Sequence, residues 1–584
     1  MSVDSEIQQL ETNITNVYNT LQQKGATIPA SRNADNIATS ISSIPSITVK
    51  YVDGYSRVVS PFLSILTIGT PPPSSTKFIL EPSVTILGDY GLNHVFYASA
   101  MEYLDFNNLT TISGNYALNY GVQGDSHLTT VLFPALTTIS GNHALSYCFQ
   151  NCTSLTAINF PNLATISGEQ ALSACFNGCT SLTGFNFISL INTSGDSVLS
   201  SSFMGCTALT TASFPALTTI SGYNAFYACF STCTSLTTAS FPALTTVTGD
   251  RVFSYCFFNC TSLTTVTFNQ NLNLNDLASN YDIFSYTFSS CSSLTSAIIF
   301  SNLTSISGSF ACEYMFSMCE GLTTVDVSNL VSISGTNACE GTFQDCSNIT
   351  SNIVFSNLTE VAEYGMYMMF QNCSKIPSVT FSKDIVNLDS NGLEEAFSGC
   401  TSLVSLDLSK QTSIVSDNTL YGICKDCSNL TSINLSSLES IDGYNVFRQA
   451  FAGCTALTTA SFPALTTISG SYIFRQTFTN CTSLTTVTFD SIESIEYTTS
   501  SYFFQFTFAG CTSLQHIYFG SRGSSPYPAI DFGSSRRKAP FTSMLADCTG
   551  VTVHFPAANQ SEMSSWTDVL DGFGGTNTTI LFDL

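Results

Sequence analysis

The sequence is short of charge, and above all of positive charge. Only 10% of the 584 residues are charged, and 16 Lys and Arg stand against 40 Asp and Glu, a formal net charge of −24. Ordinary soluble domains carry about 25% charged residues. A chain with so few cations lacks the basic patches that displace counterions from nucleic acid or attract anionic lipid. We therefore expect no nucleic-acid partner.

Long apolar runs, a secretory leader and catalytic motifs are also missing. No stretch reaches the roughly 18 apolar residues of a membrane-spanning helix, so no membrane insertion is expected. The segment Met1–Glu6 lacks the basic and apolar regions of a signal peptide, which predicts no export by the general route. The five histidines lie in no recognisable catalytic motif. We expect neither an enzyme nor a cofactor, and assign no catalytic or metal-binding residue.

What the sequence does contain is one repeated unit of about 27 residues. A cysteine before a Ser/Thr-rich turn recurs mostly at this spacing, and two degenerate copies precede the first cysteine, which makes 17 copies. These cysteines are Cys152, Cys179, Cys206, Cys233, Cys260, Cys291, Cys319, Cys346, Cys373, Cys400, Cys427, Cys454, Cys481, Cys511 and Cys548. A fixed period in this range indicates a solenoid, in which one copy forms one turn and buries its apolar face on its neighbours.

The copy that begins at Cys206 shows the expected strands. The alternation that ends at Phe214 predicts a short strand, and Pro215 ends its pairing because proline has no N–H to donate. Leu217 and Ile220 point inward from a second extended segment. Each copy is thus expected to contribute two short strands.

The rest of the copy predicts a turn and a helix. Gly222 permits a turn that a β-carbon would hinder, and residues 224–232 carry apolar side chains at helical spacing. Phe230 recurs in 12 other copies, so stacked turns predict a continuous aromatic column. The recurrences are Phe149, Phe176, Phe203, Phe257, Phe288, Phe316, Phe343, Phe370, Phe397, Phe451, Phe478 and Phe508.

These motifs carry a family resemblance. Leu-x-x-(Ile/Val)-x-Phe-Pro, Leu-x-x-Ile-x-Gly and Phe-x-x-Cys, repeated over residues 78–556, resemble the BspA-like, Treponema-type leucine-rich repeats. The resemblance implies an α/β solenoid, a leucine-rich repeat array of about 17 turns, that adheres to host proteins or other cells and is not an enzyme. The copies are longer than is typical, which we attribute to a larger helical arm. Residues 557–584 resemble the cap that follows such arrays.

Residues 1–46 follow a different pattern. Apolar residues at heptad positions a and d predict a coiled-coil segment and a candidate anchoring helix. They are Ile7, Leu10, Ile14, Val17 and Leu21. The segment resembles the N-terminal part of phage tail-fibre and baseplate-associated proteins. That implies docking on virion tail proteins and a homo-oligomer, with a trimer favoured over a dimer. Residues 47–77 read as short β segments and a Pro-rich linker.

Seven cysteines lie outside the repeat position, and they allow two interpretations. Neighbouring turns could form a tetrathiolate metal site, or the thiols could be small apolar side chains in a tight corner. Ser202 and Thr287 replace this cysteine in other copies, which favours packing. Disulfides between turns remain open but are geometrically demanding.

Threonine pairs recur before the first strand and within the second, and they predict hydroxyl ladders on a flat face. Examples are Thr210–Thr211 and Thr218–Thr219. The face could bind ice, a carbohydrate or a protein, or could reflect only β-propensity and solubility.

A longer gap before Cys548 holds a quarter of all positive charge, and insertions in such arrays often bind partners. The candidate partner-binding loop comprises Arg522, Tyr527, Arg536, Arg537 and Lys538.

The two resemblances together predict a receptor-binding protein of a phage tail, located in the virion, whose solenoid binds a host-surface protein or glycan. The alternative is a bacterial cell-surface adhesin that binds host proteins or other cells.

Overall fold

The chain folds as a parallel β-solenoid of about 17 turns of about 27 residues. The computed structural model describes residues 47–51, 56–59, 76–80, 86–96, 100–273, 280–297, 302–497, 502–520, 527–533 and 540–584. The chain divides into two compact units. Unit 1 ends at Thr219 and also includes residues 241–243, and unit 2 holds the remainder.

Unit 1 is built from short strands that alternate between two sheets. In chain order they are β1 (Ile47–Tyr51), β2 (Ser56–Val59), β3 (Lys77–Leu80), β4 (Ile86–Leu87), β5 (Tyr103–Asp105), β6 (Thr111–Ile112), β7 (Thr130–Leu132), β8 (Thr138–Ile139), β9 (Ala157–Asn159), β10 (Thr165–Ile166), β11 (Gly184–Asn186), β12 (Asn192–Thr193) and β13 (Thr211–Ser213). β1 pairs antiparallel with β2 and β3. From β3 to β11, odd-numbered strands pair in parallel in a first sheet, and from β4 to β12 even-numbered strands pair in a second, whereas β13 lies in a further sheet. Ile112, Ile139 and Ile166 lie in register, so equivalent residues of successive turns stack.

Unit 2 continues the same plan, and β14 (Thr219–Ser221) and β15 (Thr238–Phe241) contain residues of both units. Its further strands are β16 (Thr246–Thr248), β17 (Thr265–Phe268), β18 (Ser305–Ile306), β19 (Ser332–Ile333), β20 (Ile353–Phe355), β21 (Glu360–Val361), β22 (Ser378–Phe381), β23 (Asn387–Leu388), β24 (Ser405–Asp407), β25 (Ser413–Ile414), β26 (Ser432–Asn434), β27 (Ser440–Ile441), β28 (Thr459–Ser461), β29 (Thr467–Gly470), β30 (Thr486–Phe489), β31 (Ser494–Tyr497), β32 (His516–Phe519), β33 (Thr552–Phe555) and β34 (Thr579–Phe582). Helices α1 (Gln560–Met563) and α2 (Thr567–Leu570) and two 3₁₀ turns, Ala557–Asn559 and Gly572–Gly574, lie between the last two strands.

The two strands predicted for the copy at Cys206 are confirmed as β13 and β14. The first ends before Pro215, as its missing N–H requires. Gly222 adopts φ 110°, a left-handed conformation that glycine tolerates without steric cost.

The helix predicted over residues 224–232 is wrong. Asn224, Ala228 and Thr232 have φ of 56°, 50° and 60°, and no α-helix contains a left-handed residue at every fourth position. The N–H of Ala228 donates to Ser254 O of the next turn (2.9 Å), while other N–H groups close tight turns within the segment. The segment is therefore a ribbon of turns that is hydrogen-bonded to its neighbour. We call the outer surface of these ribbons the turn face.

The predicted aromatic column is confirmed within each unit. In unit 1, Phe149, Phe176 and Phe203 are fully buried and stack with ring centroids 5.5 and 5.2 Å apart. In unit 2 the stack runs from Phe230 to Phe397 with centroids 5.1–5.6 Å apart. Each stacked pair adds about 0.5–1.5 kcal/mol beyond the area it buries, so the column stabilises the piling of turns.

Candidate binding surfaces

The threonine pairs at the start of the first strand of each turn use part of their hydroxyls internally. In unit 2 the first threonine of a pair donates to a carbonyl of the preceding turn. Thr264 Oγ1 lies 3.0 Å from Thr237 O, and Thr485 Oγ1 lies 3.0 Å from Thr458 O. These hydroxyls hold turns together and are not free to bind a ligand.

The ladders of exposed hydroxyls are formed by the second threonine of each pair and by the Ser or Thr two residues after it. Thr267 Oγ1 donates to Ser240 Oγ over 3.0 Å, and Ser461 Oγ lies 2.9 Å from Thr488 Oγ1. Hydroxyls of neighbouring turns thus hydrogen-bond to one another, which leaves fewer donors for a ligand than the sequence suggests. The roles of this face in binding ice, carbohydrate or protein stay predictions.

The turn face of unit 1 carries two stacks of aromatic rings. Each stack holds one ring from each of three successive turns, with centroids 4.7–5.3 Å apart and ring planes within 12° of parallel. The stacks are Tyr90–Tyr116–His143 and His94–Tyr120–Tyr147. All six residues have positive φ, and Tyr90 is 44% exposed.

A ladder of amide side chains fixes the register of these turns. Asn115 N–H donates to Asp89 Oδ1 over 2.7 Å, Asn142 N–H to Asn115 Oδ1 over 2.9 Å, and Glu169 N–H to Asn142 Oδ1 over 3.0 Å. Asparagine suits this position because its amide carbonyl accepts a main-chain N–H. The ladder anchors the main chain directly beside the first aromatic stack, so the rings occupy defined positions.

The turn face of unit 2 combines stacked tyrosines with carboxylates. Tyr255, Tyr286 and Tyr314 stack with centroids 4.7 and 5.0 Å apart. Glu313 accepts a hydrogen bond from Ser285 Oγ (2.9 Å). Burial raises the pKa of Glu313 to about 7, and nearby carboxylates add to the rise. The folded protein therefore holds this carboxyl group in a setting that disfavours its charge.

Arg251 is the only Lys or Arg between Phe78 and Ser374. Its Nε lies 2.7 Å from Asp282 Oδ2, and its guanidinium lies 5.5 Å from the centroid of the Tyr281 ring. The guanidinium is therefore engaged within the turn face.

All 22 cysteines are buried free thiols. The repeat cysteine donates its S–H to a carbonyl of the preceding turn, as Cys179 Sγ does to Phe149 O (3.1 Å). Ser202 makes the same kind of bond to Leu172 O (2.6 Å) from the second cysteine position. The contacts support the packing interpretation and add a hydrogen bond to it. Among the residues described, no group of three or more His, Cys, Asp and Glu side chains is placed to hold a metal ion.

Both sets of candidate site residues lie mostly outside the described residues. This applies to the anchoring residues Ile7, Leu10, Ile14, Val17 and Leu21, and to Arg522, Arg536, Arg537 and Lys538 of the C-terminal loop. Tyr527 is only 8% exposed, packs with Tyr518 and Leu584, and places its hydroxyl 3.5 Å from Ile492 O. Tyr527 therefore supports the core, and the binding role of the loop stays a prediction. Within the described part of the chain, no helix has the length and apolar character needed to cross a membrane.

The sequence reasoning missed a cluster in unit 2. His554 contacts both His516 and Asp583 on the outward side of the last strands of unit 2. The one pattern that could have indicated this cluster is the alternation of inward and outward residues along a strand. His516 precedes the buried Ile517 and His554 precedes the buried Phe555, so both histidines fall at outward positions.

Comparison with known proteins identifies the repeats. The profile of a family described as "BspA type Leucine rich repeat region (6 copies)" matches residues 74–173, 124–256, 173–307, 228–364, 276–394, 336–476 and 367–505. No curated protein matches the chain.

Solved structures of bacterial leucine-rich repeat proteins also match. One from Bacteroides ovatus is 18% identical, with 81% of this chain and 93% of that chain covered and a TM-score of 0.37. A leucine-rich cell surface protein from Faecalibacterium prausnitzii is 18% identical, with coverages of 73% and 87% and a TM-score of 0.22.

Proposed function

Because the chain belongs to the BspA-type leucine-rich repeat proteins, we propose that it is a non-enzymatic adhesion protein of a bacterial cell surface. In this proposal the solenoid binds a host protein or the surface of another cell. This proposal takes the bacterial cell-surface alternative in place of the predicted phage-tail protein. The phage-tail prediction depends on residues 1–46, which lie outside the described residues, and nothing in the comparisons supports it.

The observation that carries the proposal is the pair of aromatic stacks on the turn face of unit 1. Tyrosine is enriched among the residues that dominate binding energy in protein interfaces. It offers a large amphipathic contact area with few rotatable bonds. In this face the rings are already ordered by stacking and by the asparagine ladder. Less side-chain entropy is therefore lost on binding than for isolated surface tyrosines.

The composition around the stacks favours a protein partner. Between Phe78 and Asp250 the chain has no Lys or Arg, and the polar residues are mainly Ser, Thr and Asn. Tyrosine with small hydroxyl and amide side chains is also the composition of antibody paratopes. Several chains displayed on one surface would add avidity to individually weak contacts.

The test compares two faces of the same turns. Fluorescently labelled full chain is mixed with cultured epithelial cells and with a panel of bacterial cells, and binding is measured by flow cytometry. The variant Tyr116→Ser/Tyr120→Ser/Tyr147→Ser should lose tenfold or more in apparent affinity, because hot-spot residues each contribute about 2 kcal/mol or more. The matched control Thr138→Ala/Thr165→Ala alters the second sheet and should bind like the wild type.

Circular dichroism of both variants checks that the repeats stay folded. Trypsin treatment of the cells should abolish binding if the receptor is a protein. Absence of saturable binding to any cell would refute the adhesion role. Loss of binding by the Thr138→Ala/Thr165→Ala control alone would assign the binding surface to the threonines of the second sheet.

A further inference from the structure

Two histidines meet on the outward side of the last strands of unit 2. His516 lies in β32 and His554 in β33, and the parallel register places His554 beside Tyr518. Side chains on the same face of neighbouring strands at this diagonal offset are within reach of each other. Nδ1 of His516 lies 3.3 Å from Nε2 of His554.

Asp583 and Tyr518 fix the orientation of His554. Nδ1 of His554 lies 3.0 and 3.1 Å from the two carboxylate oxygens of Asp583, the residue directly after β34. A carboxylate that accepts the Nδ1 proton leaves Nε2 as the lone-pair nitrogen of the neutral ring. The ring of Tyr518 stacks on His554 with centroids 4.2 Å apart, and His554 is only 7% exposed. The lone pair of Nε2 therefore has a fixed position next to His516.

We propose that His516 and His554 form a two-imidazole binding site for a divalent transition-metal cation such as Zn²⁺. Nδ1 of His516 and Nε2 of His554 are the protein ligands, and Asp583 orients His554. Two nitrogens bound tetrahedrally at about 2.0–2.1 Å from Zn²⁺ are about 3.3–3.4 Å apart. The two nitrogens have this separation as hydrogen-bond partners, so the ion replaces the proton between them. His516 then carries its proton on Nε2, and the two rings turn until both lone pairs point at the ion.

The chemistry of the site selects the ion and leaves room for a further ligand. Imidazole nitrogens suit Zn²⁺, Cu²⁺ and Ni²⁺, whereas Mg²⁺ and Ca²⁺ prefer oxygen ligands. Because the protein supplies two ligands, the remaining positions are open to water or to a donor group of another molecule. The in-register neighbours of His516, Thr486 and Thr552, carry hydroxyls and no opposing cation.

The test measures binding of the metal alone to full-length protein without an affinity tag. Isothermal titration with ZnCl₂ near neutral pH should show one Zn²⁺ per chain, and MgCl₂ should show none. His516→Ala should lower the affinity at least tenfold, because one of the two protein ligands is lost. Asp583→Asn should lower the affinity about 10–100-fold, the usual effect of losing an orienting carboxylate. His127→Ala changes a histidine with a 63% exposed side chain and should bind like the wild type.

A spectroscopic arm identifies the ligands. Cu²⁺ bound to the wild type should show hyperfine coupling to two nitrogens in electron paramagnetic resonance, and His516→Ala should show one. No saturable Zn²⁺ binding by the wild type, or full binding by folded His516→Ala, would overturn the proposal.

Discussion

Glycine residues at the corner after the second sheet bring successive turns of unit 1 into main-chain contact. A β-carbon on Gly168 would lie 2.1 Å from Gly141 O, and one on Gly141 would lie 2.0 Å from Gly114 O. These glycines are required by the close approach of the neighbouring turn, whereas Gly222 in the equivalent position also needs a left-handed φ. The same residue type thus serves two physical needs at one repeat position.

The carboxyl group of Glu313 makes a prediction about stability and pH. Its pKa is raised to about 7 in the folded protein from 4.5, so the folded state holds its proton longer than the unfolded state does. Stability therefore falls as pH rises from about 4.5 to about 7. Glu313→Gln should stabilise unit 2 at pH 8 by about 1 kcal/mol, after a discount for solvent screening, and have little effect at pH 4.5.

The measurement is the urea midpoint at the two pH values, with hydrogen exchange of peptides around residue 313 as the local readout. Glu320→Gln changes an exposed carboxylate seven residues later and should leave the urea midpoint unchanged at both pH values. An equal effect of Glu313→Gln at both pH values would contradict the assigned cause.

At the scale of the element, the ribbon of turns differs from a helix in where its hydrogen bonds go. A helix satisfies its main-chain groups internally, whereas alternate N–H groups of the ribbon donate to the next turn, as Phe230 N–H does to Cys256 O (2.8 Å). The repeat cysteine adds a side-chain bond that runs back to the preceding turn, from Cys260 Sγ to Phe230 O (3.1 Å). The ribbon, the two sheets and the thiols therefore all tie one turn to the next.

The thiols predict a characteristic chemical behaviour. Burial raises the pKa of many of them, for example to about 12 for Cys312 and for Cys291, so these thiols hold negligible thiolate at pH 8. Ellman's reagent should react with none of the thiols in the native protein and with all 22 in guanidinium chloride.

The same pKa shift has a thermodynamic consequence. An unfolded thiol ionises near pH 9 while the buried one keeps its proton, so stability should fall as pH rises above about 9. Rapid reaction of native protein at pH 8 would show that the solenoid opens at its cysteines.

At the scale of the whole molecule, stability is a sum over turns and their contacts with neighbours. In such arrays each repeat contacts only the adjacent repeats, so the free energy of unfolding is approximately additive. The copies that follow Cys454 and Cys481 begin with nearly the same sequence, and Thr459 and Thr486 lie in register in β28 and β30. One whole turn can therefore be removed without a change of register.

Deletion of residues 455–481 tests this additivity. Joining Cys454 to Thr482 removes 27 residues and one turn, so we expect an unchanged β-sheet circular dichroism signal per residue and a modest decrease in the urea midpoint. Deletion of residues 455–467 removes about half a turn and should unfold the surrounding repeats, because inward and outward positions no longer align. Equal tolerance of both deletions would show that register does not hold unit 2 together.

Repetition in the amino-acid sequence is enough to predict the period, the two strands in each turn and the column of buried phenylalanines. Those features rest on repetition, and a residue type that returns every 27 positions must stack on its own copies when turns pile up. The family also followed from these motifs, as the match over residues 74–505 shows.

The conformation of the turn ribbon and the groups displayed on it depend on contacts between neighbouring turns, so they are seen only in the folded molecule. Apolar doublets four residues apart, such as Ala225–Phe226 and Cys229–Phe230, fit both a helix and the ribbon, and the neighbouring turn decides because it accepts the ribbon's hydrogen bonds. His516 and His554 are 38 residues apart, and the insertion between them hides their common register until the strands are paired. Contacts between turns depend on alignment in space, which a local pattern does not encode.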